Sequence, residues 1–228
     1  MTEFFRFPHT PHLAWLGSGK PRDDKVLDGG EAREILSSDV IVEEKVDGAN
    51  LGFSVGEDAT LRVQNRGSFL DLESPVGQWK SLKRWLGGRR QAFAEALGFD
   101  LMLFGEWCYA VHSLRYTRLP DWFLAFDVYD RGKREFWSVD RRNELTRELN
   151  LSVVPERGRA CFDLARLQDL LNRSMLTDDP PEGLYVRREE DGRLLQRAKL
   201  VRPEFVQDIG EHWSKRSIEV NQLARTAP

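Results

Sequence analysis

The chain has 228 residues, 40% hydrophobic and 31% charged, with a formal net charge of −3, which supplies apolar material for a core but excludes a uniformly basic nucleic-acid binder. Any polyanion-binding surface must therefore be local. Cys108 and Cys161 are far apart and in no Cys-x-x-Cys pair, which argues against a disulfide framework or structural zinc and suits a reducing cytoplasm; the N-terminus has no basic start followed by an apolar run, and no stretch approaches a membrane span.

Residues 1–30 are punctuated by Pro8, Pro11, Gly17, Gly19, Pro21, Gly29 and Gly30 and read as an irregular arm that must lie on the body of the protein. His9 and His12 flank Pro11 and are either phosphate or base contacts or surface packing residues. A short helix is expected over 31–36. Residues 39–44 and 51–55 read as strands joined by a hairpin-type Asp47-Gly48 turn, which puts Lys45 where a strand meets a turn. A third strand, 61–65, ends at Arg66-Gly67. The period then changes: 75–86 and 89–97 read as helices broken at Gly87-Gly88, with Val76, Trp79, Leu82 and Leu86 on one stripe. Lys80, Lys83 and Arg84 recur at spacings of three and four, and no acidic residue occurs over 74–94, so this face is solvated and suits a phosphate backbone.

Residues 101–104 read as a buried strand leading into Gly105-Glu106, and 122–129 as another. Between them, 107–120 carries Trp107, Tyr109, His112, Arg115, Tyr116 and Arg118 without a carboxylate, a mix suited to a single-stranded end or, for the rings, to a core. Helices with Asp caps are expected over 140–149 and 163–171, with a brief strand at 151–154. Strands over 184–188 and 193–201 are joined through Asp191-Gly192, and a closing helix behind Pro203 runs to about Trp213. Strands outnumber helices and mostly follow one another directly, which predicts an α+β fold of mostly antiparallel sheets, in one large domain or two small ones.

Lys45-Val46-Asp47-Gly48 resembles the nucleotidyl-lysine motif of the covalent nucleotidyltransferases: DNA ligases, RNA ligases and mRNA capping enzymes. The further motifs of that superfamily have counterparts here in the same order: Arg66-Gly67, Phe104-Gly105-Glu106, Phe126-Asp127-Val128-Tyr129, Glu182-Gly183-Leu184-Tyr185-Val186 and Arg197-Ala198-Lys199. The resemblance implies the nucleotidyltransferase (ATP-grasp-like ligase) fold, mostly antiparallel sheets flanked by helices, as a single adenylyltransferase domain over 1–228. It also implies a reaction in which Lys45 attacks the α-phosphate of ATP, releases pyrophosphate and carries AMP to a 5′-phosphate end, from which a 3′-hydroxyl displaces it. An amine attacks only when unprotonated, so the resemblance expects the Lys45 pKa to be depressed by burial or by cations, namely Lys199 and a bound Mg or Mn ion. Carried over, Glu106 meets the ribose hydroxyls, Phe126 stacks on adenine, Glu182 holds the divalent cation, Arg66 and Lys199 contact phosphates, and the backbone of Glu44 reads the base edge.

Two departures bear on this reading. Arg197 stands where the family usually has Lys, so it is expected to be a phosphate or packing contact. Asn50 stands where DNA ligases and capping enzymes commonly have Arg, and looks like the RNA ligases of the second phage type. Nothing of the size of the OB-fold that DNA ligases and capping enzymes carry follows the last motif. The expectation is an ATP-dependent RNA ligase acting on RNA with 5′-phosphate and 3′-hydroxyl ends. It would grip the strand through the 80–90 face, the 107–120 loop and Lys215-Arg216, or with a protein partner. A minimal DNA ligase, a guanylyltransferase, an enzyme that nucleotidylates another acceptor and a noncatalytic nucleotide- or RNA-binding module are the alternatives. The presence of Lys45, Glu106, Glu182 and Lys199 together counts against the last.

Overall fold

The structure, a computed structural model, describes residues 4–18, 25–207 and 218–225. Two sheets carry the fold. One has the strand order β10-β9-β1-β8, built from β1 (Val40–Lys45), β8 (Glu156–Ala160), β9 (Gly183–Glu190) and β10 (Arg193–Val201). The other has the order β3-β2-β4-β5-β6, from β2 (Ala49–Val55), β3 (Leu61–Gln64), β4 (Leu101–Trp107), β5 (Phe123–Asp130) and β6 (Glu135–Phe136). Pairing is antiparallel throughout except for β7 (Ser152–Val153), which runs parallel to β5. The expected α+β class with antiparallel sheets is what the chain adopts. Among the described residues, no helix is long and apolar enough to cross a membrane.

Helices cover both sheets. α1 (Gly29–Leu36), started by an Asp28 capping box with Glu31, and α5 (Leu164–Leu170), capped by Asp163, pack Ile35 and Leu167 on Val40, Val42, Leu184 and Val186. α2 (Trp79–Leu86) and α3 (Arg90–Leu97) bury Leu82, Trp85, Leu86, Phe93 and Leu97 against Phe53 and Trp107 of the second sheet. The helical stripe of α2 is thus Leu82, Trp85 and Leu86; Val76 lies outside the helix and is 71% exposed, because the chain at Gly77 turns through a positive φ before the helix starts. α4 (Val139–Glu148) is capped by Ser138 rather than by Asp140, whose carboxylate pairs with Arg159. The closing helix is described as α6 (Pro203–Gln207); its expected continuation to Trp213, and Lys215-Arg216, lie outside the described residues.

The Asp47-Gly48 hairpin does not form. β1 and β2 belong to different sheets, and 46–48 is the crossing between them. The Asp47 carboxylate accepts from the backbone amides of Ser113 (2.7 Å) and Leu114 (2.9 Å), and its own amide donates to the Tyr116 hydroxyl (2.7 Å), so the Asp side chain anchors a crossing instead of closing a turn. Gly48 is needed for space: a Cβ there would come within 2.8 Å of the Trp107 carbonyl oxygen. The Asp191-Gly192 turn does form, with φ of 50° and 73° at its two central residues, and joins β9 to β10.

The aromatics of 107–120 also turn inward. Trp107 and Tyr116 are fully buried and Tyr109 stacks on Trp107 at 6.2 Å, because this segment is pinned by the chain end. Asn221, 3% exposed, donates to the carbonyls of Cys108 (2.8 Å) and Ala110 (3.1 Å) and accepts from the Tyr116 amide (2.8 Å).

The irregular arm lies on β10: the Lys199 amide donates to Pro11 and the Leu13 amide to Lys199, at 2.9 and 2.8 Å. His12 is buried edge-on against Trp15, a packing role; His9 is exposed.

Between the two sheets sits a network of buried charge. Asp127 of β5 accepts from Arg187 of β9 at 2.8 Å and pairs with Arg197 of β10. Glu43 of β1 lies 2.7 Å from Arg142 of α4, with both side chains 1% exposed. Ion pairs rather than apolar contacts thus bridge the sheets at this depth.

Candidate active site

Alternation along β1 sends Ile41, Glu43 and Lys45 to the face that looks at the second sheet, and Val40, Val42 and Glu44 to the face under α1 and α5. Register carries the inner face across its neighbours. Lys45 pairs with Gly183, Glu43 with Tyr185 and Tyr185 with Lys199, so Lys45, Tyr185 and Lys199 point the same way. On the opposite sheet Asn50 pairs with Glu106. A bulge between Phe104 and Gly105 leaves Phe126 as an extra residue in β5, and this brings Phe126 to the inner side together with Asp127.

These side chains enclose a cavity of about 310 Å³. Of the residues singled out from sequence, Lys45, Arg66, Glu106, Phe126, Glu182 and Lys199 line it. Two do not. Glu44 points away, its carboxylate taken by Ser174 and by the Met175 amide (2.9 Å), and its amide donates to the Pro155 carbonyl, so that donor is not available to a base edge. Arg197 is held by Asp127 and lies over the rings of Phe7 and Phe136, 4.4 and 4.6 Å from their centroids; of its two expected roles it takes the packing one.

Sequence reasoning missed the contribution of the arm, whose Phe7, Pro8 and Thr10 form part of the wall, and of Tyr185, which the motif had already spelled out. Asn50 also lines the cavity, and its Oδ1 is buried with no hydrogen-bond partner among the described residues. An orphaned acceptor of that kind is satisfied by a ligand hydroxyl or amine.

The Lys45 ammonium sits against Glu182, 2.6 Å from Oε1 and 2.7 Å from Oε2. Burial pushes its pKa down, but the negative charge of Glu182, with smaller contributions from Tyr185 and Glu106, outweighs burial and holds it above the ordinary lysine value. This reverses the expected depression: the nearest charge to the amine is a carboxylate, not a cation. Burial likewise raises Glu182, against the pull of Lys45. Glu106 is pushed up to about 8, by burial first, with Lys45 opposing and Glu182 and Asp47 reinforcing.

A carboxylate whose folded pKa is raised is bound to its proton more tightly folded than unfolded. Between its unfolded value near 4.5 and about 8, the native state therefore holds more protons, and stability falls as pH rises. His112, lowered by burial, has the opposite sign below its usual 6.5, so the wild-type profile is a composite. Glu106→Gln removes one contribution: thermal unfolding from pH 5 to 8.5 should show the variant losing less stability with pH than wild type. Parallel profiles would show that Glu106 ionises normally in the fold.

The family model described as RNA ligase matches residues 38–201. No curated protein matches the chain in sequence. Among solved structures, a Naegleria gruberi RNA ligase with PPi is 19% identical, with a TM-score of 0.62, and the match covers 90% of this chain and 64% of that one. A mutant of the Naegleria gruberi RNA ligase with ATP and Mn is 20% identical, with a TM-score of 0.55, over 77% of this chain and 53% of that one. A candidate ATP-dependent DNA ligase from Aquifex aeolicus is 19% identical, with a TM-score of 0.55, over 87% and 50%. The chain thus spans between half and two thirds of the length of the structures it resembles.

Proposed function

The chain belongs to the RNA ligase family, and on that premise we propose that it is an ATP-dependent RNA ligase that joins 5′-phosphate and 3′-hydroxyl ends through a lysyl-AMP at Lys45. The observation that carries this reading is the Lys45 amine facing Glu106, Phe126, Lys199 and Arg66 around one cavity of nucleotide size. We read the chain as one adenylyltransferase domain, working in the cytoplasm and in RNA repair.

In the first step the Lys45 nitrogen bonds to the α-phosphorus of ATP, the bond to the bridging oxygen breaks, and pyrophosphate leaves. The amine must first give up a proton, and Glu182, hydrogen-bonded to it and already raised by burial, is the nearest acceptor. Lys199 and Arg66 meet the phosphates, Phe126 offers a flat apolar face to adenine, and Glu106 with the orphaned Asn50 oxygen meets the ribose hydroxyls. An oxygen of the 5′-phosphate then takes AMP from Lys45, and the 3′-hydroxyl displaces AMP from that end. Glu182 would hold a hard Mg or Mn ion that keeps most of its waters, in keeping with the absence of a cluster of three potential ligands among the described residues. Bound there, the ion supplies positive charge at the phosphates.

The test is twofold. Purified protein with labelled ATP and Mg or Mn should take up covalent label on a denaturing gel, and labelling from GTP instead would make it a guanylyltransferase. Matched all-RNA and all-DNA nicks with 5′-phosphates should then be sealed at different rates, RNA faster; equal rates would make it a minimal DNA ligase.

A further inference from the structure

The rings of 107–120 turn inward, but Arg115 and Arg118 stay outside, and Arg118 lines a second cavity. It lies on the face of β1 opposite Lys45, over the buried Glu44. The cavity measures about 560 Å³ and gathers Arg118, Arg157 and Arg173, three cations that are far apart in sequence.

Their donors are incompletely used. The Arg157 side chain is only 10% exposed, yet its one contact is a 3.4 Å approach to Glu44 Oε2, an oxygen that already accepts from the Met175 amide at 2.9 Å. The other guanidinium N–H groups of Arg157 meet no acceptor among the described residues. Arg173 has no ion-pair or hydrogen-bond partner there either. Arg118 is the most fully engaged of the three, with Asp178 and the Thr177 carbonyl (2.6 Å). Three guanidiniums face two carboxylates, and Arg157, nine-tenths buried, makes a single long ion pair that leaves donors for an anion entering the cleft.

We propose that Arg118, Arg157 and Arg173 form a phosphate-binding cleft that holds the sugar–phosphate backbone of the RNA strand away from the reacting end. The proposal rests on the RNA ligase reading. A guanidinium fork matches phosphate oxygens in pairs, and Arg157 and Arg173 beside the Asp178-held Arg118 offer a run of positive charge that matches a chain of phosphates better than a single ion. Met175, 56% exposed at the rim, offers an apolar surface for a sugar or base. Because the cleft and the lysine cavity are on opposite faces of β1, the cleft can take part in strand binding without taking part in adenylyl transfer.

The experiment uses the full chain with a fluorescent nicked RNA duplex, read by anisotropy over a range of salt. Arg173→Glu and Arg173→Gln replace an exposed side chain, so folding is expected to survive and is checked by melting. Arg173→Glu should raise Kd about tenfold or more, and Arg173→Gln should make the slope of log affinity against log salt shallower by about one. Both variants should take label from ATP at the wild-type rate. An unchanged Kd and salt slope would overturn the proposal, as would wild-type protein that binds no RNA. Millimolar inorganic phosphate or pyrophosphate that stabilises wild type but not Arg173→Gln, with RNA affinity unchanged, would assign the cleft to a free anion and overturn it as well. Wild type that binds RNA in this salt-dependent way but takes no label would instead refute the ligase reading and leave the cleft standing.

Discussion

Lys45→Ala should abolish covalent transfer of AMP from ATP, a loss of about 10⁴-fold or more for removal of a nucleophile. The informative companion is Lys45→Arg. Arginine keeps a positive charge against Glu182, so the buried carboxylate stays compensated and the fold is retained, but a guanidinium does not lose its proton and offers no lone pair to phosphorus. Label should therefore vanish in both variants, while only Lys45→Ala leaves Glu182 without its partner. Covalent label persisting in either variant would remove Lys45 from the chemistry. The Glu182 pair adds a pH signature. In the nucleotide-free protein the amine is held protonated above the usual lysine range, so the labelling rate should climb as pH rises through neutrality rather than level off below it.

The site was legible because its residues sit at strand ends, where short motifs and alternation fix which way each side chain points. Lys45, Glu106, Glu182 and Lys199 come together for that reason, and strand register directly places Lys45, Tyr185 and Lys199 on one side of the cavity and Asn50 and Glu106 on the other. What local pattern does not encode is the partner. Asp47-Gly48 carries the chemistry of a tight turn, yet the Asp carboxylate is taken by amides 66 and 67 residues away, and the strands on either side join different sheets. The 107–120 segment reads as a stacking surface only until the 218–225 segment closes over it through Asn221. Strands β6 and β8 were missed because Glu135-Phe136 is two residues long and Glu156–Ala160 has no apolar alternation; β8 is held by β1 and by ion pairs of Arg157 and Arg159.

The Arg197 departure is explained by the network between the sheets, and Asp127 is where that network can be tested. Arg187 and Arg197 come from the four-stranded sheet with side chains 3% and 10% exposed, and both converge on Asp127, 2% exposed, from the other sheet. Asp127→Ala would leave two buried guanidiniums short of a counter-charge, with Glu43 and Glu189 as the remaining acids near Arg187. Breaking a buried pair from one side costs about 3–5 kcal/mol, well above the 0–1 kcal/mol typical of an exposed pair. Asp140→Ala is the matched control, because its partner Arg159 is on the surface, with side chains 69% and 39% exposed. Denaturant titration should separate the two substitutions clearly, and loss of Asp127 should also loosen Arg197, whose flat guanidinium is packed against Phe7 and Phe136 beside the lysine cavity. A lysine at 197 would keep the charge and lose that stacking, which is the physical reason for arginine there. If Asp127→Ala and Asp140→Ala cost the same, the sheets are held by their apolar clusters alone and the ionic bridge contributes nothing to their docking.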